Sequence, residues 1–269
     1  MSKIKLKTNT VNTKSELKNL KTPKNENCNS VKNLEKNLET NSVNFVRENT
    51  NLPDFSEFFD NLNAENRTVQ EMITKFQSFP KVTFYGGASV KNDSKDYLEV
   101  QKLAKSLSNQ GFVVTSGGGP GIMAAAIGGG NMGKTQTLGF RLNLVSEPPP
   151  FLATTDFLFT DFAPRKLALR NSEIMIFAPG GFGTLDELME VLTLLKTGKM
   201  LKKQIFLYNS SFWSGLLKWI CQKIMASEFA VEEFLQYFVV CDEISQILQM
   251  IGNTEEYNQK SVQNSCFIN

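Results

Sequence analysis

The chain has 269 residues, 41% of them hydrophobic and 21% charged, which is enough apolar material for one sizeable core. It contains no histidine, and its four cysteines are scattered without a C-x-x-C pair, so Ser-His-Asp and Cys-His catalysis, imidazole-bound zinc and a disulfide framework are excluded. The net charge of +2 is uneven: residues 1–50 hold ten basic and five acidic residues and the remainder 19 and 22, so the body offers no basic footprint for specific nucleic-acid binding.

Residues 1–50 carry eleven Asn and nine Lys with no sustained apolar period, and are expected to form a disordered basic tail. The opening Met1-Ser2-Lys3-Ile4-Lys5 lacks an apolar signal region, and no uncharged run of 18 or more apolar residues follows. Neither a signal peptide nor a membrane span is therefore expected, and the reduced cysteines fit a cytoplasmic protein.

From residue 51 the pattern alternates. A helical stretch through Val69, Met72, Ile73 and Phe76 leads to a strand at Val82–Tyr85 that ends at Gly86-Gly87. A helix with apolar i, i+3, i+4 spacing follows through Tyr97, Val100, Leu103, Ala104 and Leu107, then a strand at Phe112–Thr115 and a small-residue helix at Ile122–Ile127. Strands at Thr137–Phe140, Phe157–Phe159 and Ile174–Phe177 precede a helix from Leu185. A strand at Ile205–Tyr208, a helix near Phe212–Met225 and a strand at Phe238–Val240 complete the series. This alternation predicts an α/β fold: a doubly wound, mostly parallel, Rossmann-like sheet with helices on both faces, in a single domain over residues 51–252. Residues 253–269 read as a flexible C-terminal tail.

Two glycine-rich turns fall between a strand and a helix, where backbone amides and the helix dipole favour a phosphate. The first is Ser116-Gly117-Gly118-Gly119-Pro120-Gly121-Ile122-Met123; its spacing is not G-x-G-x-x-G, which disfavours NAD. The second is Pro179-Gly180-Gly181-Phe182-Gly183-Thr184-Leu185-Asp186-Glu187, after an apolar strand and before a helix with Leu185, Leu188, Met189, Leu192 and Leu195 on one face. A phosphate there would meet the amides of Gly181, Gly183 and Thr184. Thr184 and Glu187 also satisfy a capping box, a structural reading that coexists with a chemical one. Gly128–Thr135 matches the Walker A pattern, but it follows a helix and enters a strand, the reverse of a working P-loop. Gly128–Gly130 is expected instead to end the helix with glycine in the left-handed conformation.

Taken together these residues resemble the LOG (lonely-guy) family of nucleoside 5′-monophosphate phosphoribohydrolases, whose members often carry the label lysine decarboxylase. The family signature P-G-G-x-G-T-x-x-E is matched by Pro179–Glu187; its G-G-G-x-x-G-x-M element becomes the one-residue-shorter G-G-G-P-G-I-M at residues 117–123, and its R-K pair is Arg165-Lys166. The resemblance implies cleavage of the N-glycosidic bond of a nucleoside 5′-monophosphate, AMP or an N6-modified AMP of the kind used in cytokinin biosynthesis, to free base and ribose 5-phosphate. It makes Arg165 and Glu187 the catalytic pair. Gly118, Gly119, Gly121, Met123, Lys166, Gly180, Gly181, Gly183 and Thr184 become the substrate- and phosphate-binding set, with no metal or cofactor. It also implies a homodimer or higher homo-oligomer. Two positions depart from the pattern: Ala124 stands where many longer members carry Glu, and Pro164 directly precedes the R-K pair. A second reading, a non-catalytic nucleotide- or cofactor-carrying protein on the same scaffold, needs the glycines but not the acid. A decarboxylase would need a Schiff-base lysine and pyridoxal phosphate, for which no segment supplies a convincing set.

Overall fold

The fold grows from seven short strands that are nearly all apolar, the pattern of a parallel sheet buried on both faces. The computed structural model describes residues 55–143, 152–229 and 232–262. In chain order these form α1 (Phe55–Phe76), β1 (Lys81–Tyr85), α2 (Lys95–Asn109), β2 (Val113–Ser116), α3 (Ile122–Asn131), β3 (Thr137–Leu142), β4 (Thr155–Phe159), α4 (Phe162–Leu169), β5 (Ile174–Phe177), α5 (Phe182–Lys196), β6 (Gln204–Tyr208), α6 (Ser210–Trp219), β7 (Val239–Cys241), α7 (Ile244–Met250) and α8 (Thr254–Val262). A π-helical turn, Ile220–Met225, continues α6.

The strands pair in the order β4-β3-β2-β1-β5-β6-β7, and every pairing is parallel. The order reverses between β1 and β5, so the crossovers leave a crevice beyond their carboxyl ends, the ordinary ligand position in such sheets. Alternate side chains feed two cores. Tyr85, Phe140, Met175, Phe177, Ile205 and Leu207 pack with α1, α4, α5 and α6 on one face. Val82, Phe84, Val114, Ile176, Phe206 and Tyr208 pack with α2, α3 and α7 on the other. The expected doubly wound fold is present.

Three local expectations are corrected, and one helix is added. Gly128, Gly129 and Gly130 lie inside α3 and none has a positive φ. Their reason is packing: a Cβ on Gly129 would stand 2.1 Å from the Gln101 carbonyl oxygen of α2, and one on Gly130 would stand 2.6 Å from Thr137 Cγ2. Thr184 is the third residue of α5 rather than its cap; the cap is Gly181, which offers no side chain, so Thr184 and Glu187 form no capping box. Arg165-Lys166 lies within α4, a helix that the periodicity did not announce. Residues 254–262, expected in a flexible tail, form α8, which Tyr257 fastens to the sheet. Its hydroxyl accepts from the Ile205 amide at 2.8 Å and donates to backbone carbonyls of Ile205 or Tyr237. The expectations for residues 1–50 and 263–269 lie outside the described residues.

The Walker-like segment connects α3 to β3, as its reversed order predicts. Thr135, which would hold a metal in a P-loop, donates its hydroxyl to the Phe112 carbonyl and serves the packing of the turn.

Candidate functional site

At the β1/β5 switch a cavity of about 310 Å³ opens, lined by the β1 turn Gly86–Ser89, by Met123 of α3, by Phe162 and Arg165 of α4, and by Gly181, Gly183, Thr184, Asp186 and Glu187 of the β5–α5 turn. A larger cavity of about 450 Å³ lies at the opposite, amino ends of β5 and β6, among Glu173, Gln204, Tyr237 and Tyr257. Its Gln204 and Tyr257 are engaged by backbone groups, and it lacks a paired acid and arginine. The carboxyl-end cavity is therefore the candidate.

The arginine is placed by α4, which is held at both ends. Asp161 caps its start by accepting from the Ala163 amide at 2.7 Å. Pro164 sits in the first turn, where its missing N–H costs no helical bond. Glu65 of α1 accepts from the Thr160 amide and hydroxyl, each at 2.6 Å, and so grips the loop that enters the helix. At the far end the Thr83 hydroxyl, buried in β1, donates to the Leu169 carbonyl at 2.7 Å.

From this fixed helix the Arg165 side chain runs inward, 8% exposed. Its Nε donates to the Phe140 carbonyl at 2.7 Å and its Nη1 to Glu187 Oε1 at 3.3 Å. Two of five guanidinium donors are thus engaged, which leaves donors for an anionic ligand at the cavity face. Gly117 is glycine because of this arginine: a Cβ there would lie 2.1 Å from Arg165 Nη2.

Glu187 comes from the second turn of α5. Burial pushes its carboxyl up to about 7, with the Arg165 charge opposing the rise and Asp186 adding to it. Burial likewise lowers Arg165, against the pull of Glu187. Desolvation outweighs attraction on both partners, as a single contact at 3.3 Å between buried charges implies. Beneath the pair Tyr85 stacks on Phe177, centroids 4.3 Å apart and rings 5° from parallel. Burial, then the nearby Glu187 charge, holds the Tyr85 phenol neutral well above its ordinary range.

The two glycine turns differ in what surrounds them. Gly121 has φ +64° and a Cβ there would sit 2.2 Å from the Gly87 carbonyl oxygen; Gly118 has φ +66° and presses on Arg141; Gly119 presses on Met123. Gly180 lies against Thr184. Gly181 and Gly183 have open space where a Cβ would be, and neither has a positive φ. The amides of the first turn of α5 have no acceptor within the helix.

Of the residues expected from the sequence, Arg165, Glu187, Met123, Gly181, Gly183 and Thr184 thus come together at one cavity, while Gly118, Gly119, Gly121 and Gly180 stand behind it. Lys166 is not in the lining itself; it pairs with the lining residue Asp186 at 3.1 Å and with Glu190 at 2.9 Å, and Arg170 completes that network through Glu190. Six lining positions are not among the residues expected from the sequence; one of them, Asp186, lies inside the Pro179–Glu187 motif. Gly86-Gly87 after β1 was visible as a strand end and carried the signal, Phe162 was available as the residue one turn before Arg165, and Ala88 and Ser89 offered none. Among the described residues no group of three or more His, Cys, Asp or Glu side chains is arranged to hold a metal.

The sequence model of the family described as "Possible lysine decarboxylase" matches residues 122–251, which include α4, the β5–α5 turn and both members of the Arg165–Glu187 pair. Over that segment the chain is similar to this family, whose LOG type its glycine motifs also resemble. No curated protein sequence matches it. Its fold is that of the X-ray structure of TM1055, with 20% sequence identity, a TM-score of 0.50, and coverage of 64% of this chain and 98% of that one. The molybdenum cofactor carrier protein from Chlamydomonas reinhardtii is more distant, at 15% identity and TM-score 0.47, covering 65% and 96%. The molybdenum cofactor binding protein from Rippkaea orientalis stands at 16% and 0.47, covering 66% and 98%. Among the described residues no helix is long and apolar enough to cross a membrane.

Proposed function

We propose that this protein acts as a LOG-type member of that family and hydrolyses the N-glycosidic bond of a nucleoside 5′-monophosphate, releasing free base and ribose 5-phosphate. The observation that carries the reading is the buried Arg165–Glu187 pair on the floor of a cavity whose wall, at Gly181 and Gly183, is open where side chains would otherwise stand. The 5′-phosphate occupies that wall, against the free amides and the positive end of α5. The sugar then lies over the carboxylate of Glu187.

Cleavage of the bond between C1′ and the base nitrogen develops positive charge on the sugar, which a fixed carboxylate stabilises. A water adds its oxygen to C1′, its proton passes to Glu187, and the departing base takes up a proton from Glu187 or solvent. A carboxyl near 7 is suited to accept and return a proton at neutral pH. Arg165 keeps Glu187 oriented and presents its remaining donors to the phosphate or ribose. No lysine is among the described residues lining the cavity, so the Schiff base that the decarboxylase label requires has no donor there. A cofactor-free cytoplasmic homo-oligomer is the setting this reading implies.

The test is incubation with a panel of nucleoside 5′-monophosphates, with free base and ribose 5-phosphate both quantified. Equimolar appearance of the two supports the reading. Tight binding without either product sinks it and leaves the carrier reading.

A further inference from the structure

Phe162 is the lone aromatic side chain lining the candidate cavity among the described residues. It sits three residues before Arg165 in α4, so both project from one side of that helix, with the ring one turn nearer the helix start. The ring is 52% exposed, whereas Phe140, Phe159 and Phe177 nearby are fully buried. It has no ring partner among the described residues, although neighbouring phenylalanines on the same face stack or tilt against one another. The turn that presents it is held by Asp161 and Glu65, so an apolar ring is kept facing solvent on a fixed support. Core packing does not account for that placement.

Met123 lines the same cavity, from α3 on the other face of the sheet. Its thioether lies directly over Gly117 and Gly119, where a Cβ would come within 2.7 Å of it. A polarizable sulfur and an aromatic face thus reach one cavity from opposite sides of the sheet, a slot suited to a flat π system. Arg165, Glu187 and the Gly181–Thr184 turn complete the lining, with the Arg165 guanidinium beside the Met123 thioether over Gly117.

We infer that Phe162 is the base-recognition residue: its ring stacks on the nucleobase, with Met123 on the opposite side, while the ribose 5-phosphate portion is held by the Gly181–Thr184 turn and Arg165. This rests on the proposed nucleotide substrate and names what reads the base. Because a phenyl ring has no hydrogen-bonding atoms, the grip depends on flat area and accepts any purine in preference to a pyrimidine.

The experiment is calorimetric titration of the full chain with ribose 5-phosphate, and of the full chain carrying Glu187→Gln, to suppress turnover, with AMP. Each is repeated with Phe162→Ala and Phe162→Tyr. Stacking on an aromatic residue predicts that Phe162→Ala weakens AMP about 10–100-fold. It predicts that ribose 5-phosphate stays within about 3-fold and that Phe162→Tyr keeps AMP affinity. Since the ring is half exposed, Phe162→Ala should melt near its parent. Equal weakening of both ligands would make Phe162 a structural support, and unchanged AMP affinity would remove it from the site. Either result overturns the inference while ribose 5-phosphate binding to the parent keeps the phosphate reading intact. A parent that binds neither ligand overturns both.

Discussion

The turns after β2 and β5 look alike in sequence, each a run of glycines between a buried strand and a helix, yet they are glycine-rich for opposite reasons. After β2 the glycines are filled against: Gly117 makes room for the Arg165 guanidinium, and Gly121 combines a positive φ with the Gly87 carbonyl 2.2 Å from a notional Cβ. The Gly87 carbonyl also accepts from the Ile122 amide, so part of this helix start is already satisfied within the protein. After β5, Gly181 and Gly183 adjoin nothing, and no backbone requirement explains them. One glycine run is packed against the rest of the fold and the other stands open, and the proposed function places its phosphate at the open one. A phosphate is assigned to a turn by the space around its glycines rather than by their number.

The largest effect should follow from that assignment. AMP should be processed on the order of 10³-fold better than adenosine, because losing the 5′-phosphate removes about three charge-assisted hydrogen bonds of roughly 1.5 kcal/mol each. Comparison of kcat/KM for the two checks this, and equal values would deny the open turn a phosphate.

Next comes a pair of matched substitutions. Gly121→Ala should cost about 3 kcal/mol or more in chemical denaturation, from the positive φ and the backbone overlap. Gly183→Ala should melt at or slightly above the parent, since alanine is favoured in a helix by roughly 1 kcal/mol, yet it should weaken ribose 5-phosphate. If Gly183→Ala destabilises as Gly121→Ala does, the contrast between the turns is false.

A smaller effect concerns pH. The Glu187 carboxyl is raised in the fold to about 7, above its unfolded value, so the stability its proton confers is present below the unfolded carboxylate range. That stability is lost as pH rises through about 7. Relative to the parent, Glu187→Gln should therefore gain about 1–3 kcal/mol between pH 5 and pH 8, which paired urea titrations would measure. A constant difference across that range would mean that the carboxyl is not raised. The smallest effect belongs to the third glycine run: Lys134→Ala should leave base release unchanged within a few-fold, and a loss of ATP hydrolysis in that variant would show the α3–β3 turn to be a P-loop after all.

The inner strands were legible because a strand buried on both faces is a short continuous apolar run, as Ile174–Phe177 and Ile205–Tyr208 show. α4 was not, since it spans only Phe162–Leu169 with a proline in its first turn, too short for a helical period to register. α8 escaped for a related reason, because Tyr257 is its one large apolar side chain buried among the described residues. At the site, the pairing of Arg165 with Glu187 was reachable through the family motifs. The separation of open from crowded glycines was not, because it depends on neighbours remote in sequence, such as Gly87 beside Gly121. Thr184 and Glu187 misled as a capping box because sequence spacing does not show that α5 starts two residues earlier, at Phe182.

Glu187→Gln separates a catalytic carboxyl from a structural one, with melting, ribose 5-phosphate affinity and AMP turnover measured on the same preparation at pH 7. Gln reproduces the shape of the neutral carboxyl but can neither accept a proton nor carry the charge that stabilises a cationic sugar. The account predicts a folded protein that still binds ribose 5-phosphate and turns over AMP about 10²–10⁴-fold more slowly. A folded Glu187→Gln protein that releases base at the parent's rate would contradict it.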